Sequence, residues 1–125
     1  MSDERVASGS PYERTVGFSR AVRTGQHVYV SGTAPIWPDG HVDPDPLVQA
    51  RRCWEIALDA LARLGGSAGD AVRTRTYLTD RRYEGPASQA HGEVFADVRP
   101  AATCVVTSLL DPSWKVEIEA EAVIS

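Results

Sequence analysis

No run of apolar residues in this 125-residue chain approaches the about 20 needed to cross a bilayer, and the N-terminus lacks the apolar core of a secretory signal. Cysteine is scarce: Cys53 and Cys104 are the only two, and neither sits in a Cys-x-x-Cys pair. That removes the common zinc and redox motifs and any disulfide framework. Positive charge is in deficit, with 13 Lys and Arg against 17 Asp and Glu for a net charge of −4. Arg51-Arg52 and Arg81-Arg82 are isolated pairs rather than a basic stripe, which argues against a nucleic-acid partner. There is no Gly-x-Gly-x-x-Gly and no Walker loop, so the usual nucleotide sites are absent. The three histidines, His27, His41 and His91, share no metal-ligand spacing. Ser31 precedes Gly32 without the earlier glycine of a nucleophile elbow. The expectation is a reduced, cytoplasmic protein with no membrane or nucleic-acid partner, no metal and no cofactor.

At 13.5 kDa and 42% hydrophobic residues, the chain has enough apolar side chains for one domain with a real core. Residues 1–10, MSDERVASGS, are small, polar and non-periodic and are expected to form a flexible tail, leaving residues 11–125 as the domain. Arg20 to Arg23 and His27 to Val30 flank Thr24-Gly25-Gln26, a hairpin signal, with Ser31-Gly32 ending the second strand. A helix follows, capped by Asp45, opened by Pro46 and closed by Gly65-Gly66. Along it Leu47, Ala50, Trp54, Ala57, Leu61 and Leu64 form one apolar stripe. Val72 to Thr79 alternates as a strand, and a second helix is expected from about Pro86 to Asp97, weakened by Gly92 at a cost of about 1 kcal/mol.

The C-terminal quarter carries two more strands. Thr103 to Ser108 is rich in β-branched residues, and Lys115 to Ile124 alternates strictly. Val116, Ile118, Ala120 and Ala122 fall on one face of the latter, Glu117, Glu119 and Glu121 on the other. Strands and helices in this order predict an α+β domain, one sheet with two helices packed on one face. On residue pattern alone, the acidic row is a solvated outer face, and Cys104 lies in a strand without the electropositive setting of a reactive thiolate.

Three stretches taken together resemble the RidA/YjgF family: VYVSGTAPI at Val28 to Ile36, QARRCWEIALDALARLG at Gln49 to Gly65, and RPAATCVVTSLLDPSWKVEIEAEAVI from Arg99 onward. The resemblance implies a chorismate-mutase-like α+β fold. It also implies a homotrimer whose sheets form a central barrel, with a small-molecule pocket at each subunit interface. By the same resemblance Glu117 takes the position of the family's catalytic glutamate, and Cys104 that of its pocket cysteine. Ser31, Gly32, Thr103 and Gln89 are expected to line the cleft, Gln89 at a position that is commonly Asn in the deaminase branch.

Two departures alter the expected chemistry. The 2-imino-acid deaminases carry, directly after the Pro-Ala of this motif, an arginine that grips the substrate carboxylate; here Pro100-Ala101 is followed by Ala102. Their pocket tyrosine aligns with Ser19. Arg99, Arg20 and Arg75 are candidate substitutes for the missing arginine. The expected activity is that of an arginine-less RidA-like hydrolase or deaminase, acting on an imine, enamine or similar group with Glu117 as acid and base. It is not that of a standard 2-iminopropanoate deaminase. The alternatives are a metabolite-binding trimer without chemistry and, from older labels on the family, a ribonuclease or translation inhibitor.

Overall fold

A computed structural model describes residues 3–125 of the chain. Eight main elements appear in the order β1 (Glu4–Val6), β2 (Ala21–Thr24), β3 (His27–Thr33), α1 (Pro46–Arg63), β4 (Ala71–Leu78), α2 (Glu84–Phe95), β5 (Ala101–Val106) and β6 (Val116–Val123). They build one six-stranded mixed sheet in the spatial order β1-β2-β3-β6-β4-β5. Neighbours are antiparallel except β4 and β5, whose parallel pairing needs the long crossover that α2 provides. Both helices cover the sheet face that carries Val28, Val30, Val116, Ile118 and Ala122.

The first helix forms where local signals agree. The Asp45 side chain accepts from the N–H groups of Leu47 and Val48 at 2.8 and 3.2 Å, and Pro46 occupies a position whose N–H has no intrahelical partner. Gly65, at φ +90°, turns the chain out of the helix. Ala50, Cys53, Trp54, Ala57 and Leu61 are buried. Cys53 is a small core residue whose thiol reaches only the Val116 carbonyl oxygen, and burial pushes its pKa far up.

Several boundaries differ from the sequence expectation, each because a partner strand or turn decides it. Of the expected N-terminal tail, Glu4–Val6 pairs with β2 as an edge strand, while Met1 and Ser2 lie outside the described residues. Strand β3 does not stop at Ser31-Gly32. It bulges there and resumes pairing at Thr33 opposite Ile118. Helix α2 starts at Glu84 because a short turn, Arg81–Tyr83, capped by Asp80, runs straight into it. Pro86 is tolerated in its first turn, and Phe95, not marked as inward by the sequence, is buried against Trp54. Arg99, at φ +57°, closes the segment by donating its N–H to the Phe95 carbonyl at 2.8 Å. Strand β5 begins at Ala101 rather than Thr103, in register with Arg73. Val72 is exposed at the irregularity between Ala71 and Arg73 instead of continuing the inward row.

One buried polar residue ties these pieces together. Gln49 is 1% exposed; its Nε2 donates to the carbonyls of Asp43 (2.8 Å) and Ser113 (3.0 Å), and its Oε1 accepts from the Lys115 N–H at 2.8 Å. It joins the loop before α1 to the start of β6. Gln49→Ala leaves those three backbone groups without their partner, and unsatisfied buried groups cost about 1–3 kcal/mol each. Equilibrium urea unfolding is expected to show a loss of about 2–4 kcal/mol; an unchanged midpoint would mean that Gln49 is not a clamp.

Candidate functional site

Because β6 lies between β3 and β4, its alternation has a definite consequence. Val116, Ile118 and Ala122 enter the core, and Glu117, Glu119 and Glu121 rise from the face that the helices do not cover. The three carboxylates then meet different neighbours. Arg75 Nη1 lies 4.0 Å from both Glu119 and Glu121, and the Tyr77 hydroxyl donates to Glu119. That hydrogen bond, together with burial, pushes the Tyr77 phenol up.

Glu117 has no cation within 4 Å among the described residues. It lies instead against Gly32 in the β3 bulge, where an added Cβ would fall 2.9 Å from its Oε2. Only glycine leaves room for the carboxylate in this position. The bulge is fastened from the other side: Ser31 Oγ donates to the Ser19 carbonyl at 2.6 Å, and the Ser31 N–H donates to the Arg20 carbonyl at 2.9 Å. Arg20 Nη1 reaches the Thr33 hydroxyl at 3.2 Å and the Gly32 carbonyl at 3.4 Å. Partial burial, and then the negative charge of Glu119, raise the Glu117 proton affinity above the ordinary carboxylate value of 4.5, with Arg20 opposing. Ser19, Ser31, Gly32 and Glu117 are thus brought together as one cluster.

The other expected site residues form a second cluster. A groove of about 230 Å³ runs between α2 and β5, and Ala102 and Cys104 lie in it, in register with Thr74 and Thr76. The Thr103 side chain turns to the opposite face, where its hydroxyl accepts from Arg73 Nη2 at 2.7 Å. Burial, and then the charge of Glu84, push the Cys104 pKa up, so the group is a thiol and not an activated thiolate. Gln89 does not line the groove. It is exposed and points to Glu93, and the helix contributes Ser88, one residue earlier.

His91 was also missed by the sequence reasoning, although it falls four residues after inward Ala87, a spacing that marks one helix face. Its Nε2 meets the buried Thr74 hydroxyl at 2.8 Å, and burial lowers its pKa, favouring the neutral ring. Gly92, with open space where a side chain would be, leaves the groove uncovered. Within one chain the two clusters do not form a common pocket: Ala102 and Cys104 share the helix face with Thr76, whereas Glu117 pairs with Tyr77 on the opposite face. Of the candidate substitute arginines, Arg99 is exposed at the end of α2 and Arg75 stands between Glu119 and Glu121; only Arg20 adjoins the Glu117 cluster.

Comparison with known proteins gives these clusters a family. The family model described as Endoribonuclease L-PSP matches residues 10–124. A Streptomyces coelicolor protein is 38% identical over 120 residues, covering 94% of this chain and 90% of its own length. The Mycobacterium tuberculosis member of the YjgF/YER057c/UK114 family superposes with a TM-score of 0.90 at 36% identity, covering 98% of this chain and 100% of that one. Escherichia coli TdcF with bound serine superposes at 0.82 with 26% identity, covering 97% and 94%. The chain belongs to the YjgF/RidA family, and its YjgF-like fold is the one that the sequence resemblance implied.

The environment of Glu117 has a consequence for stability. Since its folded-state proton affinity is raised, the contribution of that proton to stability is complete below pH 4.5 and is lost as pH rises through the raised value. Glu117→Gln removes the penalty. Thermal unfolding across pH is expected to show E117Q more stable than wild type at pH 7, with the advantage gone below about pH 4. An E117Q protein less stable than wild type at pH 7 would contradict the raised value.

Proposed function

We propose that the chain is a small-molecule enzyme that hydrolyses the C=N bond of an imine, or of the imine tautomer of an enamine, with Glu117 as the acid–base group. The observation that carries this reading is Glu117 itself, half-buried on Gly32 with no cation of the described residues within 4 Å and with its proton affinity raised. Glu117 takes a proton from a water as its oxygen attacks the imine carbon. The C=N π electrons move to nitrogen, which takes that proton back from Glu117; Glu117 then removes the proton of the new hydroxyl and delivers it to the nitrogen as the C–N bond breaks, leaving a carbonyl and a free amine. The backbone N–H of Cys104, which alternation along β5 turns toward the open edge while that of Thr103 faces β4, is assigned to steadying developing charge.

Since Glu117 and the Ala102–Cys104 groove occupy opposite faces of one sheet, we assign the complete cleft to a homotrimer in which neighbouring subunits contribute the two halves. The exposed β5 edge supports this, because a long unpaired edge with Val105 and Val106 uncovered is usually protected by a partner. Ala102 supplies no cation to the groove, so the substrate is not held there in the manner of a 2-iminopropanoate deaminase. Both cysteines are free, which fits a reducing cytoplasmic compartment.

A trimer that binds a metabolite without transforming it is the second reading, and the serine held by TdcF favours it. RNA cleavage fits less well, given the acidic balance and the carboxylate row on the open face. The deciding assay follows loss of imine, generated in situ, for 2-imino acids and for carboxylate-free imines. Sedimentation is expected to give a trimer. Glu117→Gln is expected to lower kcat by about 100-fold or more while the protein stays folded. Full turnover by E117Q would remove Glu117 from the chemistry, and ligand retention with no turnover of any imine would favour the binding trimer.

A further inference from the structure

We infer that His91 is the recognition residue of the groove between α2 and β5, where its Nδ1–H donates to a neutral carbonyl oxygen of the bound small molecule; the inference deepens the cleft proposed above and rests on it. The tautomer follows from Thr74. That residue is fully buried, and its hydroxyl has one partner among the described residues, His91 Nε2 at 2.8 Å. If Nε2 carried the ring proton, the hydroxyl would have to accept, and its own proton would be left buried without an acceptor. An unpartnered buried donor costs more free energy than an unused lone pair. The hydroxyl therefore donates to Nε2, and a neutral imidazole then carries its proton on Nδ1.

Nδ1 has no protein partner among the described residues, and no buried side-chain nitrogen or oxygen among them lacks one, so Nδ1 reaches the surface. The buried rings of Trp54 and Phe95 pack against the imidazole with centroids 5.7 and 4.8 Å away, and Thr74 occupies its Nε2 end. The side left open is the groove, whose wall His91 helps to form and over which Gly92 extends no side chain. No ionised side chain lines that groove; its other polar walls are Thr76, Ser88 and Cys104. Burial lowers the His91 pKa, so the ring adds no charge near neutral pH. Of the two carboxylates on α2, Glu93 is paired with Arg51, and Glu84 is felt at Cys104, where its charge disfavours an anion. An N–H donor in an uncharged groove selects a neutral acceptor, because an ionic head group would shed its hydration there without a counter-charge. Within the proposed reaction this narrows the substrates to imines that also bear a neutral carbonyl group, such as a carboxamide.

The test uses benzamide and benzoate, probes of the same shape that differ in charge. Binding is measured by calorimetry at about pH 7.5, where His91 is neutral, on wild type, H91N and H91Q, with folding checked by circular dichroism and thermal unfolding. Asparagine places an amide where Nδ1 lies and leaves Thr74 unpaired; glutamine places one where Nε2 lies, keeps Thr74 paired and offers the groove nothing. Wild type is expected to bind benzamide at least tenfold more tightly than benzoate. H91Q should be the more stable variant yet lose at least tenfold for benzamide, whereas H91N should be the less stable one yet bind within threefold of wild type. A merely structural role would weaken binding in the less stable variant instead. Proton–nitrogen correlation spectra of wild type decide the matter if either variant does not fold: the free ring should carry its proton on Nδ1, and benzamide should shift the Nδ1 resonance more than that of Nε2. A proton on Nε2, benzoate bound as tightly as benzamide, no benzamide binding, or equal losses in H91N and H91Q would overturn the subsite. His91-dependent benzamide binding in a protein that hydrolyses no imine would leave the subsite standing and remove only the hydrolase reading.

Discussion

The position of β6 between β3 and β4 is the constraint on which the molecule depends. Hydrogen-bonded along both edges, it has its register fixed from two sides, and a slip of one residue would move three carboxylates into the core and expose Val116 and Ile118. Burial of the apolar row against α1 therefore commits the acidic row to the opposite face. Gln49 holds the entry of the strand, and the helix that carries Gln49 lies on the apolar row itself. Sheet, helix and acidic face follow from one alternating segment.

Three identical side chains on that segment have different chemistry because their neighbours differ. Glu119 and Glu121 have Arg75 at the same distance, and Glu119 also has Tyr77. Glu117 has instead a glycine backbone that admits its carboxylate and an arginine committed elsewhere through one nitrogen. Gly32 in the bulge produces this difference, since a Cβ at that position would fall 2.9 Å from the Glu117 Oε2. A strand irregularity thus sets one carboxylate of the row apart from the other two, the one to which the proposed chemistry is assigned.

How much of this was legible in the sequence depends on whether the deciding interaction is local. The α1 boundaries, the hairpin at Gly25 and the alternation of β6 are set by caps, turn residues and periodicity within a few positions, and all three were readable. The continuation of β3 to Thr33 and the strand at Glu4–Val6 depend on partners distant in sequence and were not. Phe95 was not marked as inward, because its burial depends on Trp54 of the other helix rather than on a stripe within α2. The separation of Glu117 from Ala102 required the order of strands, which no periodicity records. Arg20 was visible as a residue, but its contacts with Gly32 and Thr33 became apparent only once the bulge was in place.

The central claim is that Glu117 owes its raised proton affinity to its seat on Gly32. Titration of the Glu117 carboxyl carbon by NMR, in wild type and in Gly32→Ala, tests it most directly. The account predicts a wild-type midpoint above the ordinary 4.5 and a return toward that value in G32A, where the added methyl group pushes the carboxylate out into water. A wild-type midpoint at or below 4.5, or a midpoint indifferent to the substitution, would contradict it.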